Sequence, residues 1–359
     1  MNKIILILLS FFLIPKVCVY SQNMHEGLSI KDSYENTFKK VLVALDSTET
    51  YSFKKIIFIV ENTYLKYTLK ENEFNNQIQI IKSLILDWIN FNPISNYKYK
   101  DSIDFHKNYG IYKILTDTTS VRISKNLRIG LLPYMYDFND YNGSQDWSNM
   151  FVTKLLATHK GNCHSLPYLY KILADELGAT CWLSLAPNHI YIKNRCKKIG
   201  WYNTELTSGT FPIDAWIMAS GYMPLQAIQN KLYMDTLSNQ QAIALCVLDL
   251  AKGYEHQTKN YTDGFILKCC ELVLKYHPTN PMALLLKAET LKQVFLHEQA
   301  IKYPKPTITF NEMQAFYVKL FDLGYREMPE KMYMNWLKSV TKEREKYNNK
   351  KLKATLQGK

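Results

Sequence analysis

Apolar residues recur at helical spacing through most of the first 130 positions. In "SIKDSYENTFKKVLVAL" the residues Phe38, Val41 and Leu45 fall on one side of a 3.6-residue turn, behind the N-cap candidates Ser29 and Asp32. "FKKIIFIVENTYLKYTL", "FNNQIQIIKSLILDWINF" and "NYGIYKILTD" continue the pattern, so residues 22–130 read as an N-terminal helical region. "LLPYMYDFNDYNGSQ", residues 131–145, is rich in aromatics and turn formers and reads as a loop. "DWSNMFVTKLLAT" predicts a helix that starts at Asp146 or Ser148 and breaks at His159, Lys160 and Gly161. Beyond Cys163, an apolar stripe of Leu166, Leu169, Ile172, Leu173 and Leu177 predicts another helix, with Gly178 as its C-cap.

The period then changes. "TCWLSLA" and "HIYIKN" are rich in strand-forming residues and are separated by Pro187 and Asn188, which suits a turn; "GWYNTEL" is a third strand candidate. A helix followed by three short strands, in a chain that is otherwise helical, predicts a mostly helical α+β fold with a small antiparallel sheet. After about residue 220 the pattern is helical to the end. There "LAKGYEHQ", "YHPTNP" and "PMALLLKAE" resemble tetratricopeptide helix pairs, although Ala244-Leu245 and Ala283-Leu284 are 39 residues apart, longer than the usual period of about 34. The alternative is a plain helical bundle. The predicted organisation is 131–225 as the core, 226–342 as a helical repeat-like domain that could seat a protein partner, and 343–359, "REKYNNKKLKATLQGK" in large part, as a solvated basic tail.

Composition adds little to this and excludes some readings. A chain of 359 residues with 47% hydrophobic content is long enough for two domains and is not disordered over most of its length. Its formal charge of +12 is spread over scattered lysines with no arginine-rich block, which argues against nucleic acid as a partner. The first 21 residues read as a secretory signal: Lys3, then the apolar run "IILILLSFFLI", then Val19 and Ser21 at the −3 and −1 positions of a cleavage site. Val17 before Cys18 argues against a lipidated cysteine. Cleavage would remove Lys3 and Lys16, lowering the charge to +10, and leave an exported chain with no stable membrane span.

Export changes how the cysteines are read, because an oxidising compartment permits disulfides. Cys181 and Cys196 flank the predicted strand pair and could meet; Cys246, Cys269 and Cys270 read as buried thiols on apolar helix faces. There is no CxxC pair, and the spacing of His159, Cys163, His164 and His189 matches no metal signature, so no metal or other cofactor is expected.

Cys163 is different, because it opens a helix, where unpaired N–H groups and the helix dipole favour a thiolate. His189 begins a strand 26 residues later and can take the thiol proton; Glu205 lies 16 residues further on, on the next strand. The period of two puts Trp201, Asn203 and Glu205 on one face, so either Asn203 or Glu205 could orient the imidazole. Asn162 could lend an amide to an oxyanion or simply cap the helix. His164 and Trp201 are candidates for a substrate groove. Each residue alone also has an ordinary structural reading: a buried thiol, a turn histidine, a solvated strand carboxylate.

Together, "GNCHSLPYLYKILADELG", "PNHIYIK" and "GWYNTELTSG" resemble the transglutaminase-like superfamily of papain-type cysteine enzymes over roughly residues 145–215. That family has a Cys opening a helix, a His on a strand and an Asp on the following strand, often as W-x-x-x-D-P-T. The resemblance implies a papain-like core, Cys163 as nucleophile, His189 as base and Glu205 in the Asp position, with Trp201 four residues before it and Thr207 two after. Glu replaces Asp here and Leu206 replaces Pro. The activity implied is attack on an amide of a peptide or glutamine side chain through a thioester. The alternative is an inactive member of the same fold serving as a binding scaffold.

Overall fold

The computed structural model describes residues 5–6, 29–46, 52–122, 128–301, 307–342 and 346–357. Apart from Ile5 and Leu6, the signal sequence read in residues 1–21 lies outside the described residues. In chain order the elements are β1 (Ile5–Leu6), α1 (Ile30–Asp46), α2 (Phe53–Tyr64), α3 (Glu71–Phe91), α4 (Ser102–Thr116), β2 (Thr119–Arg122), β3 (Arg128–Leu131), β4 (Met135–Tyr136), α5 (Val152–Thr158), β5 (Lys160–Gly161), α6 (Ser165–Leu177), β6 (Trp182–Ala186), β7 (His189–Cys196) and β8 (Gly200–Thr204). Helices complete the chain: α7 (Asp214–Ser220), α8 (Leu225–Gln229), α9 (Asn239–Thr258), α10 (Phe265–Tyr276), α11 (Pro281–Ala300), α12 (Thr307–Leu323), α13 (Glu330–Lys342) and α14 (Lys350–Leu356). At 61% helix and 11% strand among the described residues, the fold is the mostly helical α+β type expected.

The chain divides into two units, and the division departs from the predicted domains. One unit comprises Met1–Leu13, Lys70–Met223 and Glu327–Lys359; the other comprises Ile14–Leu69 and Pro224–Arg326. The N-terminal helical region is therefore shared between them, and α13 and α14 belong to the unit that holds Lys70–Met223 rather than to the one that holds α9–α12.

The first unit is organised around α6. Residues 165–174 of this helix are buried all round, as expected of a helix with sheet on one side and helices on the other. It packs on β6 and β7 and against α3, α4 and α5. Leu169, Ile172 and Leu173 are fully buried, each stabilising the fold by about 1.5–3 kcal/mol. Gly178 ends the helix at φ +64°, as its sequence position predicted. Strands β6, β7 and β8 form an antiparallel sheet with β7 central, in which Ala186 pairs with His189 and Ile192 with Thr204. The β6–β7 loop is thus the two residues Pro187 and Asn188, with Asn188 at φ +54°. Proline followed by a left-handed residue is the chemistry of a type II turn. The helix predicted from Asp146 is interrupted: Asp146 caps a 3-10 turn at Trp147–Met150, Phe151 is extended, and α5 follows.

In the second unit, α1 and α2 pack on α9, and α9, α10, α11 and α12 pack in succession. Tyr34, Phe38, Tyr254 and Phe265 form an aromatic cluster there, with centroid separations of 4.6–6.3 Å. Ser238 and Gln241 form a capping box on α9, and Asn280 caps α11 ahead of Pro281. Cys246, Cys269 and Cys270 are buried on these helices as expected. Cys181 and Cys196 are free buried thiols, so the disulfide considered for them is not formed.

The predicted basic tail needs correction. The end of the chain forms α14, capped by Asn349, with Leu352 fully buried. Backbone bonds tie its approach to the segment after β8: the Ile213 N–H donates to the Tyr347 carbonyl at 3.2 Å and the Asn349 N–H to the Phe211 carbonyl at 2.8 Å.

Candidate active site

Asn162 builds the turn that presents Cys163. Its Oδ1 accepts from the His164 and Ser165 N–H groups, both at 3.0 Å, while its own N–H donates to Ser165 Oγ at 3.2 Å. The Leu166 N–H returns to the Asn162 carbonyl, so Cys163 occupies the first position of a capped helical turn leading into α6. Asn162 Nδ2 donates to the Tyr141 and Asn149 carbonyls at 3.0 and 3.2 Å, and so fixes the preceding loop. That loop is gathered on Asp140, whose carboxylate accepts from Gln145 N, Asp146 N and Asn149 Nδ2. Gly161 is required by close approach: a Cβ there would lie 2.6 Å from Ser165 Oγ and 2.7 Å from Leu155.

The type II turn sets His189 as the first residue of β7, and its ring points to the face carrying Cys163. Nε2 donates to Glu205 Oε2 at 2.6 Å. Glu205 follows the last residue of β8 and lies diagonally across from His189, within reach of a long carboxylate. A tight loop holds it in place. The Glu205 and Thr210 backbones exchange bonds of 2.9 and 3.0 Å, Gly209 turns at φ +60°, and Glu205 Oε1 accepts from the Thr207 N–H at 2.8 Å. The other ring nitrogen, His189 Nδ1, is buried and makes no hydrogen bond, so it is the nitrogen free to exchange a proton with the thiol. His189 and Glu205 are each 4% exposed, and Cys163 is 7% exposed.

The electrostatics of this buried set favour charge separation. Burial pushes the Cys163 thiol up, but the nearby His189 ring with its imidazolium charge and the Tyr333 hydroxyl together bring it below the ordinary thiol value. Burial depresses His189, and Glu205's charge and then the bond to Cys163 overcome that and push it up to about 10. Burial raises Glu205, but the His189 charge and the Thr207 N–H hold it below its ordinary value. A thiolate, an imidazolium and a carboxylate in series is the favoured state.

Two further groups touch the sulfur. The Tyr333 hydroxyl is 3.2 Å from Sγ, and the Asn188 carbonyl is 3.6 Å away, placed to accept from the thiol form. Burial and the neighbouring sulfur hold both Tyr333 and Tyr136 well above the ordinary phenol value, so both stay protonated donors. Trp336 lies edge-on to the His189 ring at 4.9 Å. The sequence reading missed these residues because it placed residues 330–342 in the repeat-like domain. The available signal was Tyr333 and Trp336 at i, i+3, two large aromatics on one helical face.

The other expected site residues lie elsewhere. Asn203 Nδ2 donates to the Pro212 carbonyl at 3.0 Å and Asp214 Oδ1 at 2.8 Å, which leaves Glu205 as the group that orients the imidazole. Asn162 spends its side chain on the cap and the loop, so it is no oxyanion donor. His164 is buried, with Nδ1 bonded to the Met150 carbonyl at 2.9 Å and its ring against Tyr168, rather than lining an open groove. Trp201 is 44% exposed and packs against Trp182, with Arg195 over its ring, four residues along the chain from Glu205. Among the described residues no group of three or more His, Cys, Asp or Glu side chains is arranged to hold a metal, and no helix is long and apolar enough to cross a membrane. No family model matches the chain, and no curated protein or solved structure matches it significantly.

Proposed function

We propose that this chain is an exported cysteine-dependent amide hydrolase or acyltransferase with a transglutaminase-like, papain-type core, acting on peptide or glutamine amides. The observation that carries the reading is the buried His189 imidazole held by Glu205 at 2.6 Å through Nε2, with Nδ1 left unbonded in the same buried site as Cys163. The Cys163 thiolate attacks the amide carbonyl carbon and an S–C bond forms. The His189 imidazolium gives its proton to the leaving nitrogen as the C–N bond breaks, leaving a thioester and a neutral imidazole. His189 then takes a proton from water or from an amine as that nucleophile attacks the thioester; the S–C bond breaks and the thiolate–imidazolium pair is restored. Water yields an acid and an amine yields a new amide. Glu205 stabilises the imidazolium and fixes the ring orientation throughout. The tetratricopeptide-like helices α9–α12 would offer a surface for a protein partner.

An activated acyl donor such as a p-nitrophenyl ester should acylate Cys163 selectively, though slowly while Tyr333 covers the sulfur, as read by peptide mass mapping. Hydroxylamine should discharge the adduct, and Cys163→Ala and His189→Ala should abolish it. Acylation spread evenly over the six described cysteines, or unchanged in His189→Ala, would overturn the reading. The covering of the sulfur by Tyr333 favours a second reading, an inactive fold kept as a scaffold. In that case Cys163→Ala would leave the cellular role intact.

A further inference from the structure

A carbonyl carbon must come within about 3–3.5 Å of an attacking sulfur. At Cys163 that space is taken. The Tyr333 hydroxyl stands 3.2 Å from Sγ, and Met328, Tyr333 and Trp336 form one buried cluster with the cysteine. Tyr333 is 1% exposed. Tyr333 lies 170 positions further along the chain, and the three residues come from α13 and the segment that leads into it. The segment is pinned on both sides of the site. Asn188, in the turn that carries His189, donates from Nδ2 to the Met328 carbonyl at 3.4 Å. Beyond the helix, Asn348 Oδ1 accepts from the Phe211 N–H at 2.9 Å, and the Tyr347 carbonyl accepts from Ile213 N–H, just past the loop that holds Glu205.

We propose that residues 327–342 are a removable plug that keeps the Cys163–His189 pair assembled but closed, and that acyl chemistry requires its displacement. The inference rests on the acyl-transfer reading for its purpose, but the closure can be tested without it. Three features favour removal over permanent packing. A helix of 13 residues is marginal in isolation, so its order depends on the surface it covers. Its contact with the site is made by one face, Tyr333 and Trp336, while Lys331, Asn335 and Lys338 are exposed. Met328, Met332 and Met334 supply much of the remaining contact, and methionine accommodates reversible docking because its side chain is flexible. Tyr333 also donates to the thiolate, so the closed state holds the nucleophile ionised while denying it a substrate.

The test is the rate of Cys163 alkylation by iodoacetamide in the full chain, followed by peptide mass mapping. The plug leaves only a small open fraction, and the rate scales with that fraction. Tyr333→Ala and Trp336→Ala should each label at least about tenfold faster than the parent at Cys163 and at no other described cysteine. Rates within about twofold of the parent for both variants would overturn the proposal. If either variant labels at every cysteine, it has unfolded, and the parent protein supplies the second measurement. Alkylated parent should lose hydrogen-exchange protection across 330–342, because the adduct takes the place of Tyr333. Protection unchanged by alkylation would overturn the plug. A Tyr333→Ala protein that labels fast but is not acylated by the p-nitrophenyl ester would retain the plug and reject the acyl-transfer reading.

Discussion

Glu205→Gln is the sharpest test of the charge relationship, because it keeps the side chain's size and the acceptor for the Thr207 N–H but removes the charge. His189 is depressed by burial, yet Glu205 and then Cys163 lift it from 6.5 to about 10, which represents roughly 5 kcal/mol of preference for the imidazolium. Glu205 is the larger of the two lifting influences, so removing its charge removes most of what opposes the burial penalty on the imidazolium. Thiolate and imidazolium form one coupled unit, and what the imidazolium loses the thiolate loses too. The apparent thiol midpoint should therefore rise toward the free-thiol range near 8.5. The assay is the pH profile of Cys163 alkylation in parent and variant. Closure by the plug multiplies the rate at every pH, so the midpoint is read rather than the rate. A midpoint that does not move on Glu205→Gln would refute the idea that the carboxylate sets the charge on this site.

Two stability predictions follow from the same geometry. His189→Asn should be compared on a Cys163→Ser background, which removes the thiol's own pH dependence. It leaves Glu205 as a buried unpaired charge and should cost about 3–5 kcal/mol. On this background Glu205 alone raises His189 above its unfolded 6.5, so its stabilisation is complete below 6.5 and is lost as pH rises through the raised value. Glu205 is lowered from 4.5, so its stabilisation is complete above 4.5 and is lost as pH falls through its depressed value. The gap between the two proteins in urea unfolding should thus be widest between pH 4.5 and 6.5, and a gap that keeps widening toward pH 9 would contradict the sign. Asn162→Ala removes a cap worth about 1–2 kcal/mol and strips the Tyr141 and Asn149 carbonyls of a donor at about 1–3 kcal/mol. It should lower the urea midpoint without changing the slope; a loss under about 0.5 kcal/mol would show that the cap does not hold the loop.

The sequence was most legible where local chemistry decides. Pro187-Asn188 between two strand-forming runs could only be a short turn, and the structure has β6 and β7 meeting there. Gly178 could end a helix at positive φ where other residues are strained, and it does. The alternation along β8 put Asn203 and Glu205 on one face but could not choose between them. The choice is made by the tertiary neighbours Pro212 and Asp214, which engage Asn203 and leave Glu205 to His189. Asn162 looked equally able to cap or to catalyse, because the same amide serves both. Only the loop folded around Asp140 shows that its donors are already used.

The plug was illegible for a different reason. An apolar face at helical period says that a helix must be covered; it does not say by what. Residues 330–342 continue the period of the helices before them, and nearest-neighbour packing is the sound default for a repeat-like run. What breaks the default is the content of the face. Among the described residues, the two helices before α13 bury aliphatic side chains and methionine, such as Leu284 and Leu291 on α11 and Met313 and Leu320 on α12, whereas α13 itself buries Tyr333 and Trp336. Aromatics with a polar edge gain most where one end is apolar and the other meets a hydrogen-bonding or charged group. Within the repeat-like unit a phenol hydroxyl on that face would need an acceptor of its own. Beside Cys163 it meets a sulfur held ionised by His189 and Glu205. The chemistry of the site therefore explains why this helix docks on the nucleophile.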